Sequence, residues 1–137
     1  MSDTKRITRR QFVRATAAAG VAVPYFVSAA ALGQAGAPGA NDKIHVGLIG
    51  CGGMGRGNLS NCAKYDDVVV TAVCDVWKER CDATVEKYKA TAKGYGDYRE
   101  LLAQKDVDAV IIASPPHWHA LMAINAVEAG KDIYLQK

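Results

Sequence analysis

The chain of 137 residues is poor in aromatic side chains, which make up 7% of its residues, and most of its length carries no surplus of either charge. Residues 1–14 hold five basic side chains and one acidic side chain, whereas the rest of the chain holds 12 basic and 13 acidic ones. The net charge of +3 therefore belongs to the start of the chain, and nothing elsewhere indicates a nucleic-acid partner. Half of the residues are apolar, which excludes a disordered tail, and the length suits one domain at most.

Charged residues are absent between Arg14 and Asp42, a stretch that is rich in Ala, Gly and Val and contains Pro24. A basic segment before a mildly apolar one predicts an export signal, and the paired arginines of residues 8–13 are similar to the twin-arginine signal. A membrane anchor, which needs about 20 strongly apolar residues, and a cytosolic tail are the alternatives. We expect residues 1–37 to be a twin-arginine signal and linker, recognised by the twin-arginine translocase, and the protein to be periplasmic or otherwise extracytoplasmic.

No two of the four cysteines, at positions 51, 62, 74 and 81, are spaced as C-x-x-C, which excludes a zinc knuckle and a thioredoxin-type motif. An even number of cysteines in an exported protein is compatible with disulfides. Proteins on the twin-arginine route, however, fold in the reducing cytoplasm before export. Cys51 lies in a glycine loop, Cys74 in an apolar run and Cys81 on the apolar side of a predicted helix. We therefore expect buried free thiols rather than disulfides.

From residue 43 onwards, short apolar runs alternate with amphipathic helical patterns, an alternation that predicts an α/β fold with a doubly wound parallel sheet of the Rossmann type. The last predicted helix has Leu121, Ile124 and Val127 on one face and is stopped by Gly130. Asp97 is expected to cap a short helix, with Glu100 completing a capping box. Strands are predicted at 44–49, 68–74, 108–113 and 132–135, with a short one before Asp97, and helices at 54–63, 78–89, 98–102 and 119–129.

A G-x-G-x-x-G run follows the first predicted strand and opens the first helix. In this context the first glycine, Gly50, permits a tight turn, Gly52 lets the backbone approach a pyrophosphate, and Gly55 allows close packing of helix on strand. Asp75 ends the second strand, where a carboxylate can accept hydrogen bonds from the adenosine ribose. The predicted cofactor-binding residues of this part are Gly50, Gly52, Gly53, Met54, Gly55 and Asp75.

The same carboxylate bears on the choice between NAD and NADP. Asp75 would repel the 2′-phosphate of NADP, so NAD is the expected cofactor. Lys78 and Arg80 follow shortly and could offset part of that repulsion, although solvated charges on a helix face are the simpler interpretation of both.

A second group of polar residues follows the fourth strand, at the carboxyl edge of the predicted sheet, where open α/β sheets bind ligands. Ser114 and Pro115 are expected to contact the cofactor, and His119 to contact cofactor or substrate, with helix capping or packing as the alternative for the histidine. His117 and His119 are two residues apart, but no further ligand lies nearby in sequence, so no metal site is predicted.

Together these motifs resemble the N-terminal half of the Gfo/Idh/MocA oxidoreductases over residues 43–137, or 95 of the 137 residues. The resemblance rests on the glycine run, Cys74-Asp75, the Tyr98-Arg99-Glu100-Leu101-Leu102 segment, the run from Ser114 to His119, and the ending Tyr134-Leu135-Gln136-Lys137. It implies a domain that binds NAD, or less readily NADP, and an activity on sugars, polyols or related carbohydrates.

In that family the last element reads Glu-Lys-Pro, and its lysine is commonly given a catalytic role, which the resemblance places on Lys137. Here Gln136 replaces the glutamate and removes a negative charge beside the lysine. Family members also carry a second, α+β domain that supplies substrate contacts and the oligomer surface. We therefore expect a longer, homo-oligomeric protein of which these residues are an incomplete part, inactive alone.

Three functions remain open from the sequence. The first is an exported NAD(P)-dependent oxidoreductase that transfers a hydride between nicotinamide and a carbohydrate. The second is glycoside cleavage through transient oxidation by tightly held NAD, which some members of the family perform. The third is a non-catalytic protein that binds a dinucleotide, against which the retained Lys137 argues.

Overall fold

The computed structural model describes residues 42–137, in which five strands alternate with four helices. Short β-branched and apolar runs form the strands, and helices begin where glycine, aspartate or proline interrupts them. The predicted leader and linker, residues 1–37, lie outside the described residues. The strands are β1 (Ile44–Ile49), β2 (Val68–Cys74), β3 (Lys93–Tyr95), β4 (Ala109–Ile112) and β5 (Asp132–Leu135), and the helices are α1 (Gly53–Cys62), α2 (Lys78–Lys87), α3 (Tyr98–Leu102) and α4 (Pro116–Glu128).

The five strands form one parallel sheet in the order β3-β2-β1-β4-β5, as the alternating pattern predicted. The chain moves outward from β1 through β2 to β3, then returns to the other side of β1 with β4 and continues to β5. The direction of winding therefore reverses between β1 and β4. In open α/β sheets such a reversal leaves a crevice at the carboxyl ends of the strands, where ligands bind.

Helices cover both faces of the sheet. Successive residues of a strand point to opposite sides, so a strand that is apolar throughout has an apolar surface to bury on each face. Leu48 packs with Leu59 of α1 and Cys81 of α2 on one face. The next residue, Ile49, packs with Leu101 of α3 and with α4 on the other face. All five of these side chains are at least 95% buried, so β1 is the centre of a two-sided core.

The last helix, α4, differs from the sequence prediction in its start and in its buried face. It begins at Pro116 rather than at residue 119, because proline suits the first turn of a helix. Its buried residues are Met122 and Ala126, whereas the predicted face is exposed, with Leu121 at 44%, Ile124 at 56% and Val127 at 60% exposure. Nine of the 13 residues of α4 are apolar and they lie on several sides of the helix, so its periodicity does not single out one face.

Smaller features agree with the sequence predictions in part: the Asp97 cap and the free thiols are confirmed, whereas the capping-box bond of Glu100 and the full burial of Cys62 are not. The Asp97 carboxylate caps α3 by accepting a 2.8 Å hydrogen bond from the Arg99 N–H, which lowers the pKa of Asp97, whereas Glu100 makes no return bond to Asp97 among those found in residues 42–137. Gly130, with φ of 71°, follows α4. All four cysteines are free thiols, and Cys62 is only half-buried. Within the described part of the chain, no helix is long and apolar enough to cross a membrane.

Candidate functional site

The glycine run forms the turn between β1 and α1. Gly50 has φ of 96°, a left-handed conformation that glycine adopts without strain, and a Cβ there would lie 2.6 Å from the Ala113 carbonyl oxygen. A Cβ on Gly55 would lie 2.1 Å from the Gly50 carbonyl oxygen. Gly50 is therefore required by the turn and Gly55 by the contact of helix with turn, as the spacing predicted.

Gly52 and Gly53, in the middle of the glycine run, leave an open space at the start of α1, which we call the cradle. A Cβ on Gly52 or Gly53 would meet no atom within 4 Å, so neither glycine is required by protein packing. Nothing in the described residues fills this space, and the first N–H groups of a helix lack partners within it. Together with the helix dipole, these groups suit an anionic ligand. Met54, the second residue of α1, is 63% exposed.

Asp75 joins the end of β2 to the glycine run. One carboxylate oxygen accepts a 2.7 Å hydrogen bond from the Cys51 N–H, and the other accepts a 2.8 Å bond from the Trp77 N–H. A carboxylate has about four acceptor positions, so Asp75 can still accept bonds from a hydroxyl of a ligand. The side chain therefore fixes the turn and keeps capacity for a ribose.

A cavity of about 590 Å³ runs along the carboxyl edge of the sheet, across the reversal between β1 and β4. Asp75 lies toward one end and Ser114 and Pro115 toward the other, with Gly50 and Gly52 between them. Several residues that line the cavity were not predicted from the sequence, although both tryptophans of the chain follow strand ends at this edge, a position that indicates contact with a ligand. The missed polar and aromatic lining residues are Trp77, Asp97, Tyr98, Arg99 and Trp118.

Ser114 contributes a polar group to this cavity that has no protein partner. Its hydroxyl oxygen is buried and makes no hydrogen bond in the structure. A buried hydroxyl without a hydrogen bond lowers the stability of a protein, so such a group in a cavity indicates that a ligand forms the missing hydrogen bond. The ring of His119 does not line the cavity; its Nε2–H donates a 2.7 Å bond to the Ser114 carbonyl oxygen. His119 thus holds the Ser114 turn, and its predicted contact with cofactor or substrate stays a prediction.

Lys137 follows β5 at the same edge of the sheet, but it does not line the cavity and its side chain is exposed. The preceding residue, Gln136, is anchored through its backbone N–H to the Ile112 carbonyl oxygen at 2.9 Å. The edge therefore brings Lys137 near the end of β4, where Ser114 follows.

The buried thiols of this region do not supply a nucleophile. Burial raises the pKa of Cys51 to about 11 and the pKa of Cys74 to about 12. Both groups stay protonated at neutral pH, and the thiolate is the reactive form. Nor do residues 42–137 bring together three or more His, Cys, Asp or Glu side chains that could hold a metal ion.

The open cradle at Gly52, the spare acceptor capacity of Asp75 and the unpaired hydroxyl of Ser114 fit the pyrophosphate, a ribose and a further polar group of one long ligand. Along a parallel sheet with this reversal, that ligand is a dinucleotide. Residues 42–137 therefore form a dinucleotide-binding domain of the Rossmann type.

Comparison with known proteins gives the family. Residues 44–137 match the model of the Gfo/Idh/MocA oxidoreductase family, described as having an NAD-binding Rossmann fold. The chain belongs to this family, as its motifs predicted, and the family binds NAD.

Similar proteins include dehydrogenases and glycoside hydrolases. Inositol 2-dehydrogenase of Salmonella paratyphi B (strain ATCC BAA-1250 / SPB7) is 37% identical over 95 residues, covering 69% of this chain and 28% of the relative. A glycosyl hydrolase family 109 protein of Stenotrophomonas maltophilia (strain K279a) is 35% identical over 132 residues, covering 89% of this chain and 28% of the relative. The crystal structure of myo-inositol dehydrogenase from Lactobacillus casei with NAD(H) and myo-inositol is 32% identical with a TM-score of 0.65, covering 69% of this chain and 28% of that one. The chain thus spans less than a third of the length of these relatives.

Proposed function

We propose that these residues form the NAD-binding part of an exported enzyme that transfers a hydride between nicotinamide and a carbinol carbon of a sugar, polyol or related carbohydrate. The observation that carries the proposal is the continuous cavity from Asp75 past Gly52 to Ser114, with Lys137 at the same sheet edge. The inositol dehydrogenase relatives support a polyhydroxylated substrate.

Each part of the site has a separate task in this proposal. Gly52 and the start of α1 bind the pyrophosphate, Asp75 binds the adenosine ribose, and Ser114 donates or accepts one hydrogen bond near the nicotinamide end. When bound, NAD supplies the hydride acceptor or donor. During oxidation the substrate hydroxyl loses its proton to the Lys137 amine, and during reduction Lys137 returns a proton to the oxygen.

The contacts around Asp75 support NAD rather than NADP. The two cations that follow Asp75 on α2 have other contacts: Lys78 forms a 2.6 Å ion pair with Asp82, and Arg80 lies 4.2 Å from the centre of the Trp77 ring. Neither cation forms a hydrogen bond to the Asp75 carboxylate among the bonds found in residues 42–137. The Asp75 charge is therefore left to oppose a phosphate.

Substitution of Lys137 in the full-length protein tests the proposal. Lys137→Ala should lower turnover of the substrate by about 10²–10⁴-fold, the usual contribution of one acid/base group, because it removes the proton carrier. It should leave the NAD dissociation constant within about twofold, because Gly52 and Asp75 remain. Lys89→Ala, at an exposed lysine that follows α2 and is paired with Glu86, is the matched control. A near-normal rate for Lys137→Ala would remove this lysine from the mechanism.

Redox-neutral glycoside cleavage is the second candidate function, because the glycosyl hydrolase family 109 relative matches 89% of this chain, including residues before the Rossmann domain. The same residues would bind NAD, which would be reduced and reoxidised within one turnover. Release of the aglycone from aryl glycosides without accumulation of NADH would favour this function. NADH formed in proportion to a free polyol would favour the dehydrogenase.

Export by the twin-arginine translocase and homo-oligomerisation are further parts of the proposal. A protein exported already folded can carry a nucleotide that is available only inside the cell. Replacing Arg9 and Arg10 with lysine should retain the full-length protein in the cytoplasm of a bacterial host. Unchanged export in a strain without that translocase would show that the leader is of another kind.

Residues 43–137 alone should show no turnover, and light scattering of the full-length protein should give a multiple of its mass.

A further inference from the structure

Gln136 occupies the position at which the Glu-Lys-Pro element of the family has glutamate. Four hydrogen bonds hold this residue in place. Its backbone N–H donates to Ile112, and its side-chain oxygen accepts a 2.8 Å bond from the Asn58 amide of α1. The Tyr134 hydroxyl donates to the same oxygen at 3.3 Å. The Gln136 amide nitrogen donates a 2.8 Å bond to the Lys137 backbone oxygen. Each polar atom of this residue's amide therefore has a partner of the right kind.

The bond from Asn58 spans 78 positions of sequence and links two different parts of the site. Asn58 lies on α1, the helix whose first residues form the phosphate cradle, and Gln136 directly precedes Lys137. Both side chains are half-buried, so water competes less for this bond than at a fully exposed site. The hydrogen bond therefore connects the segment that follows β5 to α1.

We propose that Asn58 and Gln136 are positioning residues: their hydrogen bond sets the place of Lys137 relative to the bound dinucleotide. This inference rests on the proposed role of Lys137. Neither residue lines the cavity, and in this proposal each acts through the segment that carries the lysine. A displacement of a catalytic group by about 1 Å can cost about 100-fold in rate, so one bond at this point has a measurable effect.

The residue type at position 136 decides how the network works. Glutamate could still accept the Asn58 bond, but it has no N–H to donate to the Lys137 backbone oxygen. It would also place a negative charge beside the lysine. We therefore expect Gln136→Glu in the full-length protein to have a turnover number between those of the wild type and Gln136→Leu, with the pH of half-maximal rate displaced toward higher pH.

A double-mutant cycle in the full-length protein tests the proposal. Asn58→Leu and Gln136→Leu should each lower the turnover number about tenfold, and the double variant should lose little more than either single variant. The NAD dissociation constant should stay within about twofold. The control is Asn61→Leu, at an exposed residue of the same helix that contacts Lys64 instead. Circular dichroism checks folding, and Asn58→Asp, which loses the donor with almost no change of shape, replaces Asn58→Leu if that variant does not fold.

A second measurement separates this inference from the proposed function. Lysine acetylation of the NAD-bound protein, followed by peptide mass spectrometry, reports the surroundings of Lys137 without any substrate. Asn58→Leu should change the labelling rate of Lys137 at least threefold while Lys89 is labelled at the wild-type rate. An unchanged rate at Lys137, or losses in turnover that multiply in the double variant, would overturn the proposal. A wild-type protein that turns over no carbohydrate would overturn the proposed function, and the labelling result would still decide whether the bond positions Lys137.

Discussion

The two halves of the sheet differ in how completely the described residues build them. On the β1–α1–β2 side, the glycine turn, Asp75 and Cys51 are joined by short hydrogen bonds, and Gly55 packs without space for a methyl group. On the β4–α4–β5 side, Ser114 has an unpaired hydroxyl, and Leu121, Ile124 and Val127 of α4 are exposed. The nucleotide-binding β1–α1–β2 half is therefore tightly joined around its turn, whereas the β4–α4–β5 half leaves an apolar helix face exposed.

This difference has a physical origin. A dinucleotide can be held by backbone geometry and one carboxylate, and a turn of six residues supplies most of that. Acid/base chemistry needs side chains held at defined positions from several parts of a chain. The following predictions, made for the full-length protein, test whether the first half is as tightly packed around its turn, and the second as open, as the structure shows.

The largest effect is expected at Gly55. Gly55→Ala places a methyl group 2.1 Å from the Gly50 carbonyl oxygen, so α1 must move away from the turn. We expect a loss of about 3 kcal/mol in the free energy of unfolding and no measurable binding of NAD by calorimetry. Gly57→Ala on the same helix, where a Cβ meets nothing within 4 Å, should instead stabilise by about 0.5–1 kcal/mol. Equal behaviour of the two variants would mean that the turn is not packed as described.

Asp75 should give the next largest effect. Asp75→Ala removes the acceptor for the Cys51 N–H as well as the ribose contact, so NAD binding should weaken by roughly 1.5–3 kcal/mol, or about 10–150-fold. The preference for NAD over NADP should shrink, because the charge that repels the 2′-phosphate is gone. Titration calorimetry with both nucleotides measures this, and Glu86→Gln on the exposed face of α2 is the control. Tighter binding of NADP by the wild type would contradict the argument.

Ser114 should produce two small effects of opposite sign. Ser114→Ala removes a buried hydroxyl that has no partner, so the cofactor-free protein should gain about 1 kcal/mol in stability. Binding of NAD should weaken by about 0.5–1.5 kcal/mol because one hydrogen bond to the ligand is lost. Ser60→Ala is the matched control, since its hydroxyl contacts Lys87 and should only lose stability. If NAD affinity is unchanged, the hydroxyl does not meet the cofactor.

The smallest effect at neutral pH is expected from the thiols. Cys51 and Cys74 have folded-state pKa values raised by burial to about 11 and about 12, above the ordinary 9.0. Their contribution to stability is therefore complete below pH 9 and is lost as the pH rises from 9 towards 11 and 12, where the unfolded chain ionises first. At pH 7–8, iodoacetamide should modify the half-buried Cys62 well before Cys51 and Cys74. Fast labelling of Cys51 would show that the turn opens.

Local patterns were enough to predict the nucleotide half. Three features lie within about 25 residues: the glycine spacing, the β-branched run of β2 and the carboxylate at its end. In this context each of them predicts one structure. The spacing of apolar residues could not identify the buried face of α4, because nine of its 13 residues are apolar and they are not confined to one side. The bond between Asn58 and Gln136 could not be predicted either, since its partners are 78 positions apart and the motif that contains Gln136 does not indicate which residue it contacts.

The order of strands leaves β5 at an edge of the sheet among the described residues, with Ile133, Tyr134 and Leu135 all exposed. An exposed apolar edge strand is a template for pairing with a second chain. Residues 43–137 produced on their own should therefore aggregate through β5 as the protein concentration rises, even where the nucleotide site is fully folded. A lysine in place of Ile133 should keep such a fragment dispersed, because a charged edge strand resists pairing.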